Sequence, residues 1–491
     1  MKTTRILLAL GILSSSALIN GCNTAANCPT CGTTQNGTVT AITVMEIPQA
    51  SPYGKPFAVW DLVNHDPVNR RLYVTDRSHA AIAVFDTVND QPIGQVKKSF
   101  VGSVCCEPDR ASNFNEASGP NGTIITKPYG AGGTLENRPL GNLWVSDGDS
   151  TMKVFNLDTD TLPFVHNDDA KKQSFGTAVT GLPVLNIDDC ARQVNLGAYP
   201  NGNPCGDMRA DEPSFDPDHN KFIITNGDGP NGAFITMIDV TQPMCAGNSC
   251  VQAQFFFDGG GDTSTTGCLG PDVSGVAPAK GGAIRCRHVG NDPVPTSATF
   301  DAATNGLGGS VYNPNTKRFL QGVPQIGNNP VNGEITEIDP VTFTVTNHFK
   351  LTAATGMGGC QVASLAIGPS NNLLVGCANR EGTAFPPSTF IIDGTSGKLI
   401  QAIYQTGRAD QVWYNPGDKR FYVGARDMEN GSFLGIIDAV SNMWLYNAPT
   451  GGNAHGLAAD PINNHVYIPI SPNARCGRFS AEGCIAVYAS P

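Results

Sequence analysis

The sequence predicts an all-β protein, a seven-bladed β-propeller, and three observations carry that prediction. Its 491 residues include 56 glycines and 35 prolines, and only 15% are charged, against about 25% in an ordinary globular domain. That composition suits many short strands joined by turns and is poor material for long helices. A phrase of strand, Asp/Asn-Pro turn and second strand then recurs seven times. Its last three copies start at Gly368, Asn415 and Asp460, spaced 47 and 45 residues apart. That is the length of one four-stranded propeller blade.

The copies can be read in order. The phrase first occurs as Asp66-Pro67-Val68-Asn69-Arg70-Arg71-Leu72-Tyr73-Val74, followed by a weaker copy at Arg138-Pro139-Leu140-Gly141-Asn142-Leu143-Trp144-Val145. Asp216-Pro217, Asn313-Pro314, Gly368-Pro369, Asn415-Pro416 and Asp460-Pro461 open the other five. Proline presets the turn, Asp and Asn side chains cap it, and the flanking Val, Ile, Tyr and Phe favour strands. A third strand ending near an acidic or polar residue follows each copy, as in Ile82-Ala83-Val84-Phe85-Asp86 and Phe390-Ile391-Ile392-Asp393. A fourth strand then completes the unit, as in Leu399-Ile400-Gln401-Ala402-Ile403.

The last copy stops after its third strand, four residues before the C-terminus. Residues 39–47 form a strand with no blade of their own. They are expected to supply the missing outer strand of the last blade, closing the ring and covering an open edge. Large segments at about 102–137, 160–210 and 241–307, rich in Gly, Pro, Asn and Asp, read as disulfide-rich loop insertions in the early blades.

The N-terminus reads as an address. Lys2 and Arg5 precede the apolar run Ile6–Leu13, and Ile19-Asn20-Gly21-Cys22 resembles the bacterial lipobox. A charged start, a short apolar stretch and a small residue before the cut describe a secretory signal. The expectation is a lipoprotein signal peptide over 1–21, lipidation at Cys22, a flexible tether over 22–38 and the propeller over 39–491. Asn23 follows Cys22, and the lipoprotein resemblance then implies the outer membrane, so the lipid anchor makes the membrane one partner. Cysteine usage agrees with an oxidising compartment. Of 15 cysteines, the fourteen after Cys22 suggest local pairs: Cys28–Cys31, Cys190–Cys205, Cys245–Cys250, Cys268–Cys286, Cys360–Cys377 and Cys476–Cys484, with Cys105 and Cys106 left as a vicinal pair. Spacing alone does not settle the connectivity.

The Asp-Pro turns, strands such as Leu72-Tyr73-Val74-Thr75-Asp76, and the phrase Ala454-His455-Gly456-Leu457-Ala458-Ala459-Asp460-Pro461 resemble the YVTN/lactonase-like β-propeller superfamily over residues 39–491. That fold hosts lactonases, electron-transfer subunits, surface-layer proteins and binding scaffolds. The resemblance therefore implies a fold more than an activity, and no lactonase acid–base set matches residue by residue.

Chemistry is constrained mostly by exclusion. A formal net charge of −11 argues against general nucleic-acid binding, which needs a basic face. Cys28-Pro29-Thr30-Cys31 is followed by Gly32 rather than His, which excludes covalent c-type haem attachment. No Gly-x-Ser-x-Gly, Walker loop or His-Glu-x-x-His is present. Asp147-Gly148-Asp149 and Asp228-Gly229-Pro230-Asn231-Gly232 read as tight turns. The remaining candidates come from aligning the repeats on the Asp/Asn-Pro turn. Five residues before it stand Asp61, Asp211, Asp410 and His455, with Gly133, Gly308 and Ala363 in the other copies. Equivalent positions on innermost strands encircle a propeller's channel, so three carboxylates and an imidazole are expected at one mouth, with Glu212, Arg408 and Arg426 near the rim. Such a set suits a divalent metal such as calcium, or acid–base work on a bound carbonyl or sugar. The other seven histidines read as surface or turn residues. The function expected is a binding scaffold for a protein partner or small ligand. A lactonase-type hydrolase is the alternative, and an electron-transfer accessory role a further one.

Overall fold

The computed structural model describes residues 39–48, 56–96, 100–103, 118–129, 135–137, 140–148, 151–159, 177–178, 185–186, 209–227, 233–241, 250–257, 285–288, 303, 305–327, 332–379 and 385–489. Within them lie seven sheets; in the first six the strands run outward in chain order, and in the seventh the N-terminal strand takes the outer place. The first strands of neighbouring sheets touch in a closed cycle, and the last of them returns to the first. The chain is a seven-bladed β-propeller.

Blade 1 consists of Val63–Asp66, Arg71–Asp76, Ala81–Asp86 and Gln91–Val96. Blade 4 (Ser310–Asn313 to Thr344–Leu351), blade 5 (Val362–Ile367 to Leu399–Ile403) and blade 6 (Ala409–Asn415 to Met443–Pro449) repeat the same antiparallel meander. Local turn chemistry explains the repetition. Asp66 Oδ1 accepts the main-chain N–H groups of Val68 and Asn69 at 2.9 and 3.3 Å. Asp216 does the same for Asp218 and His219 at 2.8 and 3.1 Å. Four residues after the capping Asp or Asn, the chain takes positive φ at Arg70, Asn220, Lys317, Lys419 and Asn464. An aspartate that mimics a turn, a proline and one left-handed residue reverse the chain in each of these blades.

Each blade is apolar on both faces, as sheets stacked face to face require. Seven separate apolar clusters result, one at each seam. Trp144, for example, meets Phe222 between blades 2 and 3, and Phe421 packs with Leu374 and Ile391 between blades 5 and 6.

Ring closure occurs as the repeat count requires. Thr40–Glu46 pairs antiparallel with Cys484–Ala489, from Thr40 opposite Ala489 to Glu46 opposite Cys484. It thereby becomes the outer strand of blade 7, whose other strands are Ala458–Ala459, Val466–Ile470 and Cys484–Ala489. Met45 and Ile47 are buried against Trp60, Ile485 and Val487 at the seam with blade 1. Asp460 ties that seam from the turn end, accepting from Arg70 Nε and Nη2 at 2.9 and 2.7 Å and from Thr87 Oγ1 at 2.8 Å.

Blades 2 and 3 depart from the expected boundaries. The inner strand of blade 2 is Thr123–Thr126, inside the segment read as the first insertion, and the chain reaches Asn142–Ser146 only after a long connection. Alignment on Arg138-Pro139 pointed to Gly133, which lies outside the described residues, whereas the inner strand is Thr123–Thr126. In place of one outer strand, the short strands Thr177–Ala178 and Leu185–Asn186 both pair with Thr151–Asn156. Blade 3 carries its outer strand, Val251–Phe256, and a fifth, parallel strand, Arg285–His288, within the third predicted insertion. Strands hidden in Gly- and Pro-rich sequence lack a flanking turn signal, which is why periodicity passed over them.

Cys360–Cys377 and Cys476–Cys484 form disulfides, and Cys250 is also disulfide-bonded. The lipobox, the tether and the proposed pairs Cys28–Cys31, Cys105–Cys106 and Cys190–Cys205 lie outside the described residues, as do Cys245 and Cys268. One histidine differs from its reading as a surface or turn residue: His65 is buried on the inner strand of blade 1, against Thr87 at 3.1 Å, whereas His79 lies in a turn, buried against Asp76.

Candidate functional site

Each inner strand starts at one face of the ring, the mouth, and runs toward the Asp/Asn-Pro turns at the other. The position five residues before the turn is therefore brought to the mouth in every blade. Counting back from Thr126 in blade 2 puts Asn121 there, so the ring reads Asp61, Asn121, Asp211, Gly308, Ala363, Asp410 and His455.

Asp61, Asp410 and His455 each direct one ligand-type atom to a common point, all within 4.8 Å of one another. Asp211 stands apart from this trio and is joined to it through Arg209. That guanidinium lies 2.8 Å from Asp211 Oδ2 and 3.7 Å from Asp61 Oδ2. Arg77 donates to Asp61 and, through Nε and Nη2 at 3.0 and 2.7 Å, to Asn121 Oδ1. Arg426 Nη1 lies 3.1 Å from Asp410 Oδ2. Three carboxylates thus face three guanidiniums. Taking away one partner of a buried pair leaves the other charge uncompensated.

His455 is held with little freedom. Its ring stacks on Trp60 at 5.1 Å and 6° between planes, and Trp60 stacks on Phe57 at 4.7 Å. Nδ1 lies 2.6 Å from the Asn453 carbonyl. A carbonyl only accepts, so Nδ1 carries a proton. Nε2 points to Asp410 Oδ2 at 3.7 Å, beyond hydrogen-bonding reach. Burial pulls the imidazole below its ordinary range, with Asp410 opposing. Burial alone would raise the Asp410 carboxyl, but Arg426, His455, Arg209 and Arg77 together hold it below the usual value.

Glu212 stands one residue further along the blade 3 strand. Burial pushes its carboxyl well up, and Asp211, Asp410 and Asp61 push it further. Arg209 opposes both. Glycine makes this carboxyl's position possible, because a Cβ on Gly309 would stand 2.1 Å from Glu212 Oε2. Beyond it the channel holds a cavity of about 280 Å³, lined among others by Glu212, Thr123, Ser310, Ser364 and Gln411. A larger cavity of about 880 Å³ opens at the turn end between blades 1 and 4, beside Val68, Leu135 and Tyr312.

Of the rim residues named from sequence, Glu212 and Arg426 join the mouth, whereas Arg408 donates to the Ala378 carbonyl at 2.9 Å. Arg77, Arg209 and Asn121 were missed. The signal for one of them was present: Arg77 follows Asp61 by the same 16 residues that separate Arg426 from Asp410. Asp147, read as part of a turn, is buried and paired with Lys153.

No protein-family model matches the chain, and no curated protein matches it. Among solved structures, a chain of the crystal structure of a mitotic checkpoint complex is similar, with a TM-score of 0.47 and 10% identity over 100% of this chain and 99% of that one. That likeness is too loose to bear on what the chain does.

Proposed function

We propose that this chain is a lipid-anchored, extracytoplasmic propeller of the YVTN/lactonase-like type that binds a small polar ligand at the mouth of its channel. Propellers commonly serve as interaction scaffolds. The observation that carries the reading is the ring of convergent acids, guanidiniums and one imidazole around a channel of about 280 Å³. A concave site with a few convergent polar groups and shifted ionisations is the usual form of a small-ligand site. The lipobox-like Ile19-Asn20-Gly21-Cys22 supports the anchor and an outer-membrane address. Thr40 pairs with Ala489 at the turn end of blade 7, so the described residues begin near the face opposite the mouth.

The test is calorimetric titration of the full chain with a panel of sugar acids, sugars and lactones, repeated on Glu212→Gln and Arg209→Gln. Binding by the wild type that weakens at least about tenfold in either variant is expected. A panel that does not bind, or binding indifferent to both substitutions, overturns the reading.

One observation favours the hydrolase as a second reading. His455 holds a stacked, oriented ring whose Nε2 has no hydrogen bond among the described residues. That is the geometry of a general base. Lactone opening by the wild type that is lost in His455→Asn would convert the binder into an enzyme.

A further inference from the structure

The geometry points to a divalent metal site at Asp61, Asp410 and His455, selective for a zinc- or manganese-class ion rather than for calcium. This deepens the reading of the channel mouth as a ligand site and names one component of what it holds.

Acidic groups gathered at a mouth do not by themselves make a metal site, and the imidazole is what distinguishes this one. His455 is 4% exposed, and its Nε2 has no hydrogen bond among the described residues. The nitrogen is aimed at Asp410 Oδ2 from 3.7 Å. That gap is too long for a hydrogen bond and has the length of two ligands sharing one cation, each about 2.0–2.2 Å from it. The third atom, from Asp61, completes a set within 4.8 Å, and a contraction of about 1 Å in the widest spacing would bring all three onto one ion.

The surroundings match what metal ligands need. A ligating histidine typically donates its other N–H to a carbonyl or carboxylate, fixing tautomer and ring direction. His455 Nδ1 does so to the Asn453 carbonyl at 2.6 Å, and the Trp60 ring holds the plane. Ligating carboxylates are themselves hydrogen-bonded. Arg77 on Asp61 Oδ2 and Arg426 on Asp410 Oδ2 fill that role, and a carboxylate oxygen has a further lone pair with which to ligate. The donor set decides the class of ion. Calcium takes six to eight oxygens at about 2.3–2.6 Å, whereas one imidazole with two carboxylates suits zinc, manganese or iron(II). Three protein ligands leave a coordination position open toward the channel, as in sites where a metal receives a further molecule.

The experiment uses the full mature chain, stripped with chelator and titrated separately with Zn²⁺, Mn²⁺ and Ca²⁺. Calorimetry supplies affinity, and elemental analysis after dialysis supplies stoichiometry. One equivalent of Zn²⁺ or Mn²⁺, bound at least about 100-fold tighter than Ca²⁺ and weakened at least 100-fold by His455→Ala, is expected. Asp410→Asn, which keeps the side-chain shape, serves as a second variant should His455→Ala fail to fold, and should weaken binding similarly. Failure to retain any of the three ions, preference for Ca²⁺, or binding unchanged in both folded variants overturns the proposal. Titrating the stripped protein with the sugar-acid and lactone panel separates the two claims: binding there with no metal retained sinks the metal site and leaves the ligand site standing.

Discussion

Gln411 holds the end of the ring to its beginning, and truncating it tests how much of the closure lies at the channel wall. It stands on blade 6, next to Asp410. Its Oε1 accepts the main-chain N–H groups of Val63 at 3.1 Å and Leu457 at 2.9 Å, and its Nε2 donates to the Val63 carbonyl at 2.7 Å. One buried side chain thus joins blades 6, 7 and 1. The crossing matters because blade 7 contributes an inner strand of only two residues, Ala458–Ala459. Gln411→Ala deprives two N–H groups and one carbonyl of their partners. Each orphaned group costs about 1–3 kcal/mol. The site borders the channel cavity, so entering water would hold each cost near its lower limit and the total near 3 kcal/mol. Guanidinium unfolding with the slope held constant reads that loss as a lower midpoint. Gln411→Glu sharpens the test. Its carboxylate still accepts both N–H groups but sets an oxygen against the Val63 carbonyl. A folded-state pKa raised in this way makes the deficit smallest below the unfolded value of about 4.3, growing as pH rises through the folded value. A Gln411→Ala protein within about 0.5 kcal/mol of wild type, the range of an ordinary surface change, would refute the closure argument.

Three further outcomes are expected. Burial pulls the His65 imidazole down to about 4 from 6.5, so the unfolded chain binds a proton that the folded chain refuses. This contribution is fully present above pH 6.5 and is lost as pH falls toward 4, by about 3 kcal/mol; His65→Gln should flatten that stretch of the stability–pH curve, and an unchanged slope would count against it. Met45 is 2% exposed on the closing strand, and Met45→Ala should cost about 2–5 kcal/mol. A loss no greater than that of Ile42→Ala, whose side chain is 51% exposed on the same strand, would show that the strand is not needed. Finally, Cys22→Ala should shift the protein from the membrane fraction to the soluble fraction, and a variant still membrane-bound with no lipid by mass spectrometry would remove the anchor.

Fold and blade number were legible in the sequence because each blade is specified locally. An aspartate that caps its own turn, a proline and alternating apolar residues act within about ten positions, and they recur wherever a blade does. The same locality explains the closing strand, since a seventh unit short of one strand requires one from elsewhere. The mouth was half legible: alignment on the turns brought Asp61, Asp410 and His455 to one ring. It failed in blade 2, where the long connection before Asn142 broke the spacing and hid Asn121. How the charged pairs join into one network was decided only by the tertiary structure. Arg77 stands in the turn after the second strand of blade 1 and Arg426 on that of blade 6, each paired within its own blade, whereas Arg209 precedes the blade 3 inner strand and reaches across to Asp61 of blade 1. The links that join these pairs into one network, Arg209 to Asp61 at 3.7 Å and Arg77 Nη2 to Asn121 at 2.7 Å, run between blades. No single repeat encodes such distances, because they arise only when seven copies close on one another.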